Sequence, residues 1–165
     1  MMTQNITVKE YFKSLKIIFF ALIAVQILFT LVSLYIVRSN GPLVQDDTLS
    51  RKLMPVVAVL VLVGIYIGNF IVRKRQKSPW VDQPISEKLA KYRALLITKF
   101  ALIEGPSFIS IVAFLLTGSY SFLLFTLLIL VIFFTHLPTP DKLIYDLKFN
   151  REEQEKVKNP DSVIE

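Results

Sequence analysis

The residue in this chain best placed to do chemistry is a carboxylic acid inside an apolar run. Glu104 sits near the midpoint of residues 94–116, ALLITKFALIEGPSFISIVAFLL, and is followed at once by Gly105 and Pro106. A run of that length crosses a hydrocarbon core of about 30 Å at about 1.5 Å per residue. An ionised carboxylate at mid-depth costs about 2.5–3.5 kcal/mol on insertion scales. Glu104 is therefore expected to face protein or water, not acyl chains. Pro106 carries no amide hydrogen and its ring clashes with the carbonyl of Leu102, so a kink is expected at Gly105 and Pro106. An acid beside disturbed helix backbone is the layout of proton and cation sites inside membranes. Gln26, near the middle of its own apolar run, and Ser107 are the candidates to share such a site. For Gln26 the plainer role is a hydrogen bond between helices that serves packing.

The other polar candidates point to simpler roles. Lys99 precedes Glu104 by five residues, about 140° around a helix, so the two do not share a face. Lys99 is expected to snorkel to the headgroups. Asp46 and Asp47 offer two oxygen ligands with no further ligand spacing, which reads as a solvated loop and not a calcium site. The chain has no cysteine and one histidine, His136. That excludes thiolate chemistry and makes a histidine metal site or triad untenable. No paired acids, nucleophile–base set or phosphate-cradling loop is present, so no metal, no cofactor and no enzyme activity are expected.

Composition explains where these groups sit. Of 165 residues, 53% are hydrophobic, far above a soluble domain, and four long runs hold most of them. The spans are expected at residues 17–37, 54–72, 94–116 and 122–137, with residues 138–165 as a tail. The first run is too long for a signal peptide's apolar core and has no cleavage site after it. The net charge of +6 lies between the spans, a membrane pattern that argues against nucleic acid as a partner. Arg73, Lys74, Arg75 and Lys77 follow the second span directly and place that loop, and with it both termini, in the cytoplasm. Trp80 is expected to anchor at the interface.

Local signals complete the outline. Gly64 and Gly68 form a G-x-x-x-G pair that clears a groove for close helix packing. Pro55 is expected in the first turn of its helix, and Ser86 as the cap of the next. Residues 117–121 are too short a link to join anything but antiparallel neighbours. In the tail, Thr139 with Pro140 starts one helix, whose Leu143, Ile144 and Leu147 form an apolar face suited to the membrane or the bundle. Asn150 to Glu153 start a second helix, and the last few residues are expected to fray. The fold class is thus all-α, a four-helix bundle in the inner cell membrane with a short amphipathic helical tail.

Two likenesses arise on these residues. Phe20-Ala21-Leu22-Ile23 repeats as Phe100-Ala101-Leu102-Ile103, which raises a parallel duplication with Ala24 in the place of Glu104. Residues 101–105, Ala-Leu-Ile-Glu-Gly, resemble the acid-bearing helix of rotary ATPase proteolipid subunits. That resemblance implies a carboxyl that carries an ion, although the first span here has no glycine and the acid sits in a first, not a second, helix of its hairpin. The wider pattern, Gly68-Asn69-Phe70 before the basic cluster, then residues 102–106, then Pro138 and Lys142, resembles uncharacterised four-span inner-membrane proteins of Bacteroidota-type genomes. The leading expectation is a non-enzymatic structural or assembly component, with the bilayer and a homo-oligomer or other membrane proteins as partners. The alternative is a proton- or cation-coupled carrier, or a subunit of one, that uses Glu104.

Overall fold

The computed structural model describes residues 6–44, 46–76 and 83–164. Three helices, α1 (Val8–Asn40), α2 (Asp47–Gln76) and α3 (Ile85–Thr117), are each long and apolar enough to cross a membrane. A fourth, α4 (Ser121–Phe134), is apolar except for Ser121 and Thr126 but has 14 residues, about 21 Å of rise at 1.5 Å per residue. Bonds from the amides of Thr135, His136 and Leu137 to carbonyls three residues back carry its last turn to Leu137.

α3 is the axis. Half of its apolar window is buried, against 22% for α1 and for α2, because α1, α2 and α4 all pack on it. α1 runs parallel to α3: Tyr11 meets Leu89, Phe19 meets Phe100, Gln26 meets Ser107 and Phe29 meets Phe108. α2 runs antiparallel, with Gly64 beside Leu102 and Pro106 and Gly68 beside Lys99 and Ile103. α4 also runs antiparallel to α3, as its short link requires: Ser110 donates to the Phe122 carbonyl at 2.5 Å, and the Phe100 and Phe133 rings lie 5.1 Å apart. The stacked pair Phe19 and Phe133, at 4.9 Å, joins α1 to α4.

Helix ends follow from local chemistry. α1 starts well before its apolar run because Thr7 and Glu10 form a capping box. α2 starts at Asp47 because Asp46 Oδ1 accepts from the Thr48 amide at 2.8 Å, so the aspartates open a helix. Pro55 consequently lies two turns inside α2 and not in its first turn. α3 is capped by Pro84, whose carbonyl accepts from Glu87 and Lys88, and not by Ser86. It passes Gly105 and Pro106 without a break and ends at Gly118, at φ 68°. Its final carbonyls would be orphans. The Leu43 and Val44 amides reach back to those of Leu115 and Leu116, at 3.2 and 2.9 Å.

The tail folds back. α5 (Pro140–Leu147) is capped by Thr139, and α6 (Arg151–Lys158) by Asn150 with Glu153 in a capping box. Leu143 is fully buried, so the apolar face of α5 lies against the bundle. Val8, Phe12, Leu89, Phe149 and Val157 join it in the core. Three polar contacts at this end tie the helices together. Lys88 Nζ sits 2.5 Å from Glu153 Oε1, the Tyr92 hydroxyl donates to Asp146 at 2.9 Å, and the Tyr11 hydroxyl donates to the Leu89 carbonyl at 2.8 Å. The expected fraying is overturned for the chain end: β1 (Ile6–Thr7) and β2 (Val163–Ile164) pair antiparallel, so N- and C-terminal segments meet. Backbone hydrogen bonds from Val8 to Ser162 and from Lys9 to Pro160 extend that pairing.

Candidate functional site

Glu104, Ser107 and Ser110 are buried polar residues of α3, on faces that it presents to its neighbours. Gln26, like Ser33, is a buried polar residue on the α1 stripe that includes Phe19 and Ile23, at helical spacing. The Gln26 amide Nε2 donates to Ser107 Oγ on α3, and both residues are buried. Gln26 and Ser107, the candidates to share a site with Glu104, thus bond each other, and Glu104 Oε1 accepts from neither. Thr30 on the next turn of α1 donates to the Gln26 carbonyl at 2.8 Å.

Glu104 lies one turn before Ser107 on α3, and residues three apart share a helix face. Its residue is 4% exposed, so the carboxyl is sheltered by protein and not set against acyl chains. Glu104 Oε1 is buried with no hydrogen-bond partner among the described residues. An orphaned buried polar atom costs about 1–3 kcal/mol, so a proton or cation that satisfied it would bind against that deficit. Ser33 Oγ on α1 and Thr126 Oγ1 on α4 are orphaned in the same way. Unlike a hydroxyl, a carboxyl can give up its proton or hold a cation.

Gly64 and Gly68 are used within the chain. A Cβ at Gly64 would lie 2.7 Å from the Leu102 carbonyl oxygen and 2.7 Å from Pro106 Cγ. The α2 backbone thus covers the very carbonyl that Pro106 leaves without its helical donor. At Gly68 a Cβ would meet Ile103 Cγ1 at 3.3 Å, a tight but smaller conflict. Gly105 faces open space, so its role is not close packing.

The remaining predicted residues fall elsewhere. Lys99 is 8% exposed, so it is buried within the chain. The reason is position: α3 is covered on the side where Lys99 lies, and its carbonyl faces Gly68. His136 Nδ1 lies 2.8 Å from the Ile132 carbonyl, a local contact at the end of α4. Arg73, Lys74 and Arg75 belong to the last turn of α2, but their side chains lie outside the described residues, as do Lys77 and Trp80. Among the described residues no group of three or more His, Cys, Asp or Glu could hold a metal.

Sequence reasoning missed two features. The ion pair of Lys88 with Glu153 joins residues 65 apart and left no local signal. The lysines at 9, 13 and 16 did leave one, since their spacing places all three on one face of α1.

The chain matches no family model, no curated protein and no solved structure in comparisons with known proteins. The functional reading therefore rests on the geometry.

Proposed function

We propose that this is a non-enzymatic, four-pass membrane protein in which Glu104 is an exchangeable proton or cation site, the working group of a carrier or of a subunit of one. The observation that supports it is the Glu104 carboxyl: buried, with Oε1 unpartnered among the described residues, one turn from the Gln26–Ser107 hydrogen bond. A group kept at such cost in a membrane is a functional site by default. Four passes are supported by the meeting of the chain ends in β1 and β2. Three crossings would leave those ends on opposite sides, so α4 with its extension to Leu137 makes the return. The basic run at Arg73 to Lys77 argues that this shared end is cytoplasmic, in an inner cell membrane.

The test is a flux assay in proteoliposomes loaded with a pH-sensitive dye, with sodium or potassium inside or outside. Wild-type vesicles are expected to relax an imposed pH gradient faster than empty ones, and Glu104→Gln to relax it at the empty rate while retaining helical content. Equal rates for wild type and variant, or no relaxation by wild type, would overturn the reading.

One observation favours the second reading, a structural component of a membrane complex. The outer face of α2 carries a groove of about 510 Å³ lined by Leu62, Ile65, Tyr66, Asn69 and Phe70. The half-buried Asn69 amide near the end of an apolar span is suited to a transmembrane helix that brings its own hydroxyl or amide. The Gly64–Gly68 groove makes no such offer, since α3 fills it. A photo-crosslinker at position 66 that captures a membrane partner in native membranes would support this reading, and monomer alone would sink it.

A further inference from the structure

Where the apolar part of α1 meets the folded tail, the surface holds a groove of about 640 Å³. Its floor is apolar. Val8, Phe12 and Val157 are buried there, while Ile17 and Phe20 are 59% and 51% exposed. Its rim is cationic: Lys9, Lys13 and Lys16 of α1 and Lys158 of α6, all exposed. Positions 9, 13, 16 and 20 fall on one helical stripe, so three ammonium groups lead directly to an aromatic ring.

The depth of these groups is informative. Lys9 to Lys16 spans about 10 Å of helix rise. A bilayer of about 40–45 Å with a core of about 30 Å has headgroup layers of about 5–8 Å each. The three lysines therefore reach through one headgroup layer toward the water, and Phe20, about 6 Å past Lys16, stands toward the acyl chains. Glu10, the single acid of α1, is committed elsewhere, since its Oε2 accepts from the Thr7 amide at 3.0 Å in the capping box. The far wall of the groove, Pro140 and Pro160, comes from the tail, and the bond from the Lys9 amide to the Pro160 carbonyl, at 2.9 Å, holds it in place.

We propose that this groove binds one anionic phospholipid, with its phosphate among Lys9, Lys13, Lys16 and Lys158 and an acyl chain along Ile17 and Phe20. Free phosphate would use the rim and leave the apolar floor idle. A protein helix would need acids to match the rim. The lipid uses both parts at the depths where they stand. The inference is independent of any role for Glu104. It gives the tail a purpose, because α6 and Pro160 complete a pocket that α1 alone could not form.

A diffuse attraction of basic residues to the membrane would depend on charge count, whereas a built groove depends on position. The experiment uses the full chain, reconstituted in membranes of equal phosphatidylglycerol and phosphatidylcholine and released for native mass spectrometry. Wild type is expected to retain one phosphatidylglycerol per chain. The triple variant K9Q/K13Q/K16Q should bind it about a hundredfold more weakly, on the basis of surface lysines in anionic membranes. K148Q/R151Q/K156Q removes the same charge from exposed tail positions and should retain the lipid like wild type. Phe20→Ser, at a half-exposed position, should shorten lipid retention with every lysine intact. Equal losses in both triple variants, equal retention of phosphatidylcholine, displacement by inorganic phosphate, or no effect of Phe20→Ser would each overturn the proposal.

Discussion

Gly64 and Pro106 lie in direct opposition across the α2–α3 interface: one added carbon at position 64 would come within 2.7 Å of the proline Cγ. The same carbon would meet the Leu102 carbonyl at 2.7 Å, so the conflict includes backbone that cannot swing aside. Gly64→Ala should therefore destabilise the bundle by about 1–3 kcal/mol, the usual cost of overpacking. Gly68→Ala meets Ile103 Cγ1 at 3.3 Å, a milder conflict with a side chain, and should cost less. Gly105→Ala meets nothing and should be neutral or mildly stabilising, since alanine is the better helix former. Thermal unfolding in detergent checks the order. If G64A and G105A melted together, the proposed α2–α3 contact would be wrong.

The Gln26–Ser107 hydrogen bond should show as coupling between α1 and α3. Double-mutant cycles on such bonds in membranes average about 0.6 kcal/mol with a maximum near 1.7. Gln26→Leu and Ser107→Ala, alone and together, should give a coupling of about that size in unfolding free energy. Strictly additive losses would mean that the two side chains do not meet.

How far these contacts could be read from residue order depends on their range. Residues 17–37, 54–72 and 94–116 declare their helices through apolar length alone, and three helices of spanning length are found there. The caps at Thr139 and Asn150 were legible because each signal lies within four residues of its effect. The start of α2 was hidden because Asp46 and Asp47 read equally well as a solvated loop until the Thr48 amide shows what they bond. The burial of Lys99 was hidden for a different reason. Only the packing of three helices on α3 reveals that its side is covered. The site itself was half legible: an acid at mid-span demanded shelter, but nothing local told that Ser107 would turn to Gln26 and leave Glu104 Oε1 without a bond. Residues 20–23 and 100–103 share a tetrapeptide at a spacing of 80. α1 and α3 lie side by side with contacts offset by 78 to 81 residues, close to the spacing of the repeat.

Asp46 supplies a prediction in pH. Hydrogen bonds from the Thr48 hydroxyl and amide hold its carboxyl below the ordinary value of 3.8. The folded form binds the proton less readily than the unfolded one, so the cap's contribution is complete above that ordinary value and is lost as the pH falls through the lower folded value. Relative to the intrinsic rate, amides of the first turn of α2 should lose protection from exchange at acid pH in wild type. In Asp46→Ala that protection should be lost already at neutral pH. Identical exchange in the two proteins at neutral pH would remove Asp46 as the cap.

The tail offers an asymmetric pair of substitutions. Lys88 is 5% exposed in its side chain and Glu153 is 17% exposed, so the ammonium is the more deeply held partner. Glu153→Gln takes the carboxylate away while the ammonium stays buried beside Phe149, 5.7 Å from its ring centroid. It also weakens the α6 cap, because Glu153 Oε2 accepts from the Asn150 amide at 3.0 Å. Lys88→Gln leaves that cap intact and leaves a carboxylate that water can reach. Removing one partner of a fully buried pair costs about 3–5 kcal/mol, and the partial exposure of Glu153 places the present case below that range. Glu153→Gln should therefore loosen the tail more than Lys88→Gln does. Limited proteolysis and amide exchange over residues 140–164 read this directly, with β1 and β2 expected to open together. If the two variants loosened the tail equally, the depth of Lys88 would not be what anchors α6.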